Sequence, residues 1–466
     1  MSFQFTKLGL ALALTGSLAG CSAVVKTPYS APTVQVPQQF QYDTQKNKNV
    51  NLTDQWWTLF NDAQLNQLVD QVLAKNSDLT VAGITLNQAR LQAGLAENKQ
   101  GIRTSSSVSA GHNYDLRSGD GSDRGLSTNV GVSYELDLFG KLANQTEASR
   151  WEALATEQDL QATAQSLVGT TAKLYWQLGY LNERYQTIQQ NLASTQKIYS
   201  LVQSQYKAGA VSGLDLTQAE QSVQSQKASL SQIEQQRVEA RTAIAVLLHE
   251  PVQQLNIQEP AQLPRNPLPN IAVGLPADIL SRRPDLQASE LRLRKTLANK
   301  DATKASYYPS INLTGNLGSS STSLTQLLKN PALTLGASLS LPFLQYNDMK
   351  KDIAISDLEY KKAITQYRQT LYQAFADVEN ALSNQTQLNQ QVQLQQRNVE
   401  LANKTERLTE VRYRNGAIAL KNLLDAQETT RNARLSLVET KQNQYNAYVT
   451  LMQAMGGSPV KELPKQ

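Results

Sequence analysis

The chain has 466 residues, of which 40% are hydrophobic and only 6% aromatic. That is thin for several compact cores and suits long helices, which bury a narrow stripe. The net charge of +5 comes with no basic run interleaved with aromatics, which speaks against a nucleic-acid partner. The single cysteine, Cys21, rules out an intrachain disulfide, and His112 and His249 have no Cys or His neighbour at metal-ligand spacing.

At the N-terminus Lys7 precedes the apolar run LGLALALTGSLAG, too short to span a bilayer as a permanent helix. The run ends in Leu18-Ala19-Gly20-Cys21. Small residues before a lone Cys resemble a bacterial lipoprotein signal, which implies removal of residues 1–20 and acylation of the Cys21 thiol as a lipid anchor. Such signals favour inner-membrane retention when Asp follows the Cys. Ser22 stands there and implies the outer membrane. Residues 21–61 form an arm rich in Pro, Gln and Asn, without helical period.

A first repeat is expected over residues 62–250. Leu65, Leu68, Val69 and Val72 share one helical stripe starting near Asp62, and a second helical pattern runs from Leu79 to about Lys99. Period-two alternation follows. Val108, Ala110, Tyr114 and Leu116, then Leu126, Val130, Val132, Tyr134, Leu136 and Leu138, predict strands at about 104–117 and 125–139. From Lys141 to Tyr206 there is no Pro. Leu174, Leu178, Leu181, Tyr185, Ile188, Leu192, Thr195, Tyr199, Val202 and Tyr206 step as a heptad seam. Gly209 and Gly213 break that helix, and another returns from about Leu214 to Leu248.

Residues 251–275 are a linker marked by Pro251, Pro260, Pro264, Pro267 and Pro269, and the order then recurs over 276–456. A helix is predicted at about Ala277–Ser306, with strands at about 309–319 (Ile311, Leu313, Leu317) and 331–343 (Leu333, Leu335, Ala337, Leu339, Leu341). A long helix from about Asp348 to Tyr413, a turn at Gly416 and a returning helix to Met455 complete the repeat, and 457–466 are a tail. The two turns are written alike: YKAGAVSGLDLTQAE from Tyr206 and YRNGAIALKNLLDAQ from Tyr413. The chain therefore reads as a tandem duplication.

Each half supplies two strands with one apolar face and one of Ser, Thr, Asn and Gly, the pattern of a membrane β-barrel. Four strands cannot close, and an open sheet in lipid leaves backbone groups unpaired, so copies must associate. An eight-stranded interior fills with side chains, whereas twelve strands leave a lumen, which favours at least three chains. A coiled-coil structural lipoprotein is the bland alternative, but a stalk has no use for hairpins of membrane-spanning length. No Gly-rich phosphate loop and no Ser/His/Asp or paired-carboxylate constellation stands out, so neither an enzyme, a cofactor nor a metal site is expected.

At this point specific stretches carry a resemblance. "LAGC" with the arm PYSAPTVQVPQQF, then WWTLFNDAQLNQLVDQVLAKNSDL, YELDLFGK, LSRRPDLQASELRLR followed by ASYYPSINLTG, and YRNGAIALKNLLDAQ resemble outer-membrane efflux proteins of the TolC type, in particular the OprM-like lipoprotein branch. The resemblance covers nearly the whole chain. One stretch departs from it: RKTLANKDATKASYYPS stands where relatives carry a more Ala-rich helix with an Ile-Gly pair, and a packing change is expected there. The family implies a homotrimer with a twelve-stranded barrel in the outer-membrane lipid and a long α-helical barrel in the periplasm. A periplasmic adaptor and an inner-membrane pump of the RND type would feed it with drugs, detergents or dyes. A type I protein-secretion duct of the same fold is the alternative.

The resemblance also assigns roles. Gly209, Ala210 and Val211 in the first turn, and Gly416, Ala417 and Ile418 in the second, are expected as exposed adaptor-contacting tips. Asp425 matches a family carboxylate that narrows the closed tunnel. Lys421, Asn422 and Glu428 lie three or four residues from it and can share its helix face as a periplasmic gate. Asn422 and Glu428 depart from residues common in relatives, so pairing between subunits is expected to use Lys421 or Arg431 instead, the bland alternative being an ordinary surface pair of Lys421 with Asp425.

Overall fold

The computed structural model describes residues 25–43, 55–112, 124–265, 267–269, 276, 282–327, 329 and 331–457. Cys21 and its signal, Tyr114, Leu116 and the tail from 458 onward lie outside the described residues. The helices are α1 Ala63–Lys75, α2 Ser77–Asn98, α3 Lys141–Lys207, α4 Gly213–Leu247, α5 Pro284–Ala305, α6 Tyr346–Arg414 and α7 Leu420–Ala454. The strands are β1 Arg103–His112, β2 Arg124–Leu136, β3 Ser310–Ser321 and β4 Ala332–Ser340. The repeated order of two strands, a long helix, a turn and a helix is thus present twice.

Four boundaries differ from expectation. Strand β2 stops at Leu136, and Leu138 lies in the turn before α3. The helix predicted from Ala277 is interrupted, because Arg283 is not helical and α5 begins at Pro284. Pro pre-sets the first helical turn and disfavours helix in the residue before it. Strand β3 runs on to Ser321. Strand β4 stops at Ser340, and Pro342 instead opens a 3-10 turn through Leu344, since proline has no N–H for the ladder.

Two compact units share the chain. One comprises residues up to Val34, Ile84–Gln158 and Leu286–Thr370; the other comprises Gln35–Gly83, Asp159–Asp285 and Leu371–Gln466. Each draws on both sequence repeats.

The first unit holds a four-stranded antiparallel sheet in the order β1-β2-β3-β4. Pairing of β2 with β3 (Val130 opposite Leu317, Tyr134 opposite Leu313) joins the hairpin of one repeat to that of the other. Here α5 also holds the arm. Asp301, 2% exposed, accepts from the Thr27 backbone N–H and from its hydroxyl, both at 2.7 Å. Tyr29 lies over the Arg294 guanidinium at 4.4 Å and donates to Glu290 at 3.2 Å. Lys300 reaches Asp357 of α6 at 2.7 Å. Lys300 and Asp301 both fall in the stretch that departs from the family pattern.

The second unit is built on an aromatic cluster. Trp176 packs 4.7 Å from Phe60 and 4.8 Å from Tyr445, and Phe60 meets Tyr448 edge-on at 5.0 Å. Asp62 accepts from the Gln64 and Leu65 N–H groups, capping α1, and from the Tyr175 hydroxyl at 2.9 Å, which fixes the cap to α3. Along α3 the heptad seam is buried at Leu178, Leu181, Ile188 and Val202 and half-buried between them, but Tyr206 is 46% exposed. The RPD motif has a structural task. Arg283 donates to Asp285 (2.7 Å), to Asp377 of α6 (3.2 Å) and to the Ala454 carbonyl at the end of α7 (3.2 Å).

Removing the carboxylate in Asp301→Ala deletes two charge-assisted hydrogen bonds, each contributing about 1.5–3 kcal/mol. The expected outcome is a lower Tm and faster limited proteolysis around Thr27; an unchanged cleavage rate would show that the arm is held elsewhere.

Candidate functional site

Two surfaces carry the features that the sequence points to. The first is the sheet. Register places Val108, Ala110, Leu126, Val130, Val132, Tyr134 and Leu136 on the same face as Ile311, Leu313, Leu317, Leu333, Leu335, Ala337 and Leu339. Every described member of the predicted apolar set that falls within a strand is on this face. It is bare: Val108 is 79% exposed, Leu335 77% and Leu333 68%. The opposite face carries Ser105, Ser107, Ser109, Asn129, Ser133, Asn312, Thr314, Asn316 and Ser338. Gly131 sits on that polar face where a Cβ would come within 2.6 Å of Asn316 and 2.8 Å of Ser105. Among the described residues neither β1 nor β4 has a second neighbour, so both edges of the sheet are open.

The second surface is formed by the two helical turns. Gly209 has φ +72° and Gly416 φ +70°. Each turn closes with the same bonds: Ala210 N–H to the Gln205 carbonyl (2.8 Å) with Gly209 N–H to Tyr206 (2.9 Å), and Ala417 N–H to Arg412 (2.9 Å) with Gly416 N–H to Tyr413 (2.9 Å). This is a Schellman closure with glycine in the left-handed position. A Cβ on either glycine would meet nothing, so the positive φ alone demands glycine.

The turns pack on one another. Val202, Ala219 and Leu420 form a buried cluster, with Ile198, Tyr199, Val211, Leu216, Tyr413 and Leu424 around it. Val211 is therefore half-buried rather than exposed, and Ile418 is half-buried too, whereas Ala210 and Ala417 are exposed as expected. The two tyrosines of the repeated motif have diverged. Tyr206 is exposed, while Tyr413 donates to Gln205 at 3.2 Å. Burial pushes the Tyr413 hydroxyl above its ordinary pKa, and Asp215 adds to the shift. The start of α4 has a capping box in which the Ser212 hydroxyl and backbone N–H hold the Asp215 carboxyl below its usual range. The start of α7, at Ala419, has no side-chain cap.

Within this turn region Lys421 Nζ lies 3.0 and 2.8 Å from the two oxygens of Asp425. Glu428 pairs with Arg431 at 3.1 Å. Lys421, Asp425 and Glu428 line one groove; Asn422 is exposed and does not line it. Sequence reasoning missed the Tyr413–Gln205 bond and the bond from Arg434 to Asn403 of α6. The unequal aromatic burial behind the first has no signal in a motif written alike in both turns.

Against known proteins, the model of the outer membrane efflux protein family matches twice, at residues 68–249 and 275–457, once per repeat. The chain is 30% identical to the probable efflux pump outer membrane protein TtgC of Pseudomonas putida, over 97% of this chain and 96% of that protein. It is 29% identical to the toxin and drug export protein A of Aggregatibacter actinomycetemcomitans, over 98% of each. The open-state structure of the Neisseria gonorrhoeae MtrE outer membrane channel superposes with a TM-score of 0.82 at 27% identity, over 94% of this chain and 99% of that one. With its duplicated helices and both repeats matched, the chain belongs to the outer membrane efflux protein family.

Proposed function

We propose that three copies of the chain close a twelve-stranded barrel in the outer membrane and serve as the passive exit duct of a tripartite efflux system. The observation that carries this reading is the open-edged sheet with its bare apolar face. Its four strands alternate in direction, so β4 of one copy meets β1 of the next antiparallel, and the ring closes for any number of copies. Closure satisfies every edge group, the leucines and valines face lipid, and the Ser, Thr and Asn face lines a water-filled lumen. Eight strands fill their own interior and twelve do not, which selects three copies over two.

The partners follow from the tip. Ala210, Ala417 and the glycines beside them offer small, exposed surface to a periplasmic adaptor, itself fed by an inner-membrane pump of the RND type, with drugs, detergents or dyes as cargo. Val211 and Ile418 support that surface from below. Asp425 is the gating carboxylate, present three times around the axis of the trimer, where like charges raise the local negative potential. Lys421 offsets each copy in place. As an exposed i,i+4 pair within one helix it contributes only about 0.3–0.5 kcal/mol, and it does not itself bridge neighbouring copies. Cys21, outside the described residues, is the proposed lipid anchor. The toxin and drug export relative favours a second reading, a protein-secretion duct of the same fold. A deletion strain assayed for both drug accumulation and secreted protein separates the two.

Purified chain in mild detergent is expected to run as a heat-sensitive trimer and to give single-channel conductance in planar bilayers. A monomer, or a non-conducting fibre, would remove the duct. Asp425→Ala is expected to raise basal conductance severalfold, and conductance equal to that of the unaltered chain would strip Asp425 of its gating role. Replacing the left-handed glycine in Gly416→Ala is expected to lower stability by about 1 kcal/mol, read as a drop in denaturation midpoint; no change would mean that the turn relaxes to another closure.

A further inference from the structure

Charge is scarce on the polar face of the sheet. Alternation places Arg103, at the start of β1, on that face opposite Ser133, and Glu135, near the end of β2, on it opposite Asn312. Every other strand residue on the face is Ser, Thr, Asn, Gly or Ala. Such a wall is wet and electrically neutral, and it holds no aromatic ring on which cargo could stack.

The carboxylates near the end where β1 begins and β2 finishes already have partners. Glu135 pairs with Lys141 at the start of α3. Asp137 accepts from the Leu142 and Ala143 N–H groups at 3.1 and 2.7 Å, which caps the same helix. Arg103 is exposed and makes no ion pair among the described residues. It is therefore the one charge left over on the polar face of the described strands. On the outside of a soluble protein an unpaired arginine is ordinary. On the inner wall of a neutral barrel it decides the sign of the field.

We propose that Arg103 is a specificity-determining residue of the duct, repeated once per copy as a cationic collar at the helix-side mouth of the barrel, where it favours passage of anionic over cationic solutes. The collar rests on the duct reading, which turns this face of the sheet toward the lumen. Twelve strands about 4.8 Å apart and tilted by about 40° put the wall roughly 12 Å from the axis. The Debye length at 0.1 M salt is about 10 Å, and an arginine standing inward from the wall brings its charge within that distance of the axis. The low-dielectric wall concentrates the field in the lumen. Asp425 adds the same negative contribution to every variant at residue 103, so shifts between variants report the collar alone.

Reversal potentials of the full chain in planar bilayers under a KCl gradient test it. At about 0.1 M salt, Arg103→Gln is expected to lower the chloride-to-potassium permeability ratio about threefold and Arg103→Glu about tenfold, while Arg103→Lys keeps the ratio of the unaltered chain. At about 1 M salt, where the Debye length is about 3 Å, all of them are expected to converge. An equal ratio for Arg103→Gln and the unaltered chain at low salt overturns the proposal. So does a shift that persists at high salt, since it would reflect a change of shape. A trimer that loosens in Arg103→Gln while its ratio stays put assigns the guanidinium to a neighbouring copy and overturns it as well. Should Arg103→Gln fail to assemble, Ser133→Glu sets a carboxylate opposite Arg103 and is expected to lower the ratio about threefold; an unmoved ratio there counts equally against the collar. A chain that never conducts overturns the duct and the collar together, whereas a conducting chain whose ratio ignores residue 103 overturns the collar alone.

Discussion

Backbone pairing in the sheet is the constraint on which the rest depends. A β-strand without a neighbour leaves a row of N–H and C=O groups, and inside lipid no solvent takes their place. This chain makes four strands and pairs three of its ladders, leaving one edge at β1 and one at β4 among the described residues. It also turns Val108, Leu333, Leu335 and Leu339 outward, where water would disfavour them. Both features are faults in a soluble monomer and neither is a fault in a shared membrane barrel. A family of outer-membrane efflux channels is the setting in which they make sense together.

Duplication supplied two copies of one plan, and a few side chains have since set them apart. The backbone closures at Gly209 and Gly416 match bond for bond. The following helices begin differently, with a Ser212–Asp215 box on α4 and nothing comparable at Ala419 before α7. Tyr413 is drawn into the joint cluster while Tyr206 stays outside. The better-capped start belongs to the first hairpin and the less secured one to the second, where the charged groups Lys421, Asp425 and Glu428 are found.

Much of this was legible in the sequence because it is local. Alternation in Leu126–Leu136 and Leu333–Leu339 reads directly as one apolar face, whatever lies beyond it. Glycine after Tyr206 and Tyr413 reads as a helix reversal for the same reason. Features made by distant chain segments were not legible. Val211 and Ile418 look like free tip residues until the two hairpins are brought side by side. Arg283 sits in a helical pattern, and only the proline after it and its bonds to Asp377 and Ala454 explain the break. Thr430 and Gln226 read as unremarkable polar helix positions; that they are buried without partners depends on the packing of α4 against α7.

The ladder between β2 and β3 joins strands separated by about 170 residues. Closing so long a loop is slow relative to local pairing. During synthesis the first hairpin must therefore wait, with its inner edge unpaired, until the linker and the start of the second repeat, through Ser321, have been made. A periplasmic chaperone that shields such edges would find this chain a demanding client. Premature termination anywhere before Ser310 would release a fragment with a sticky strand and nowhere to insert it.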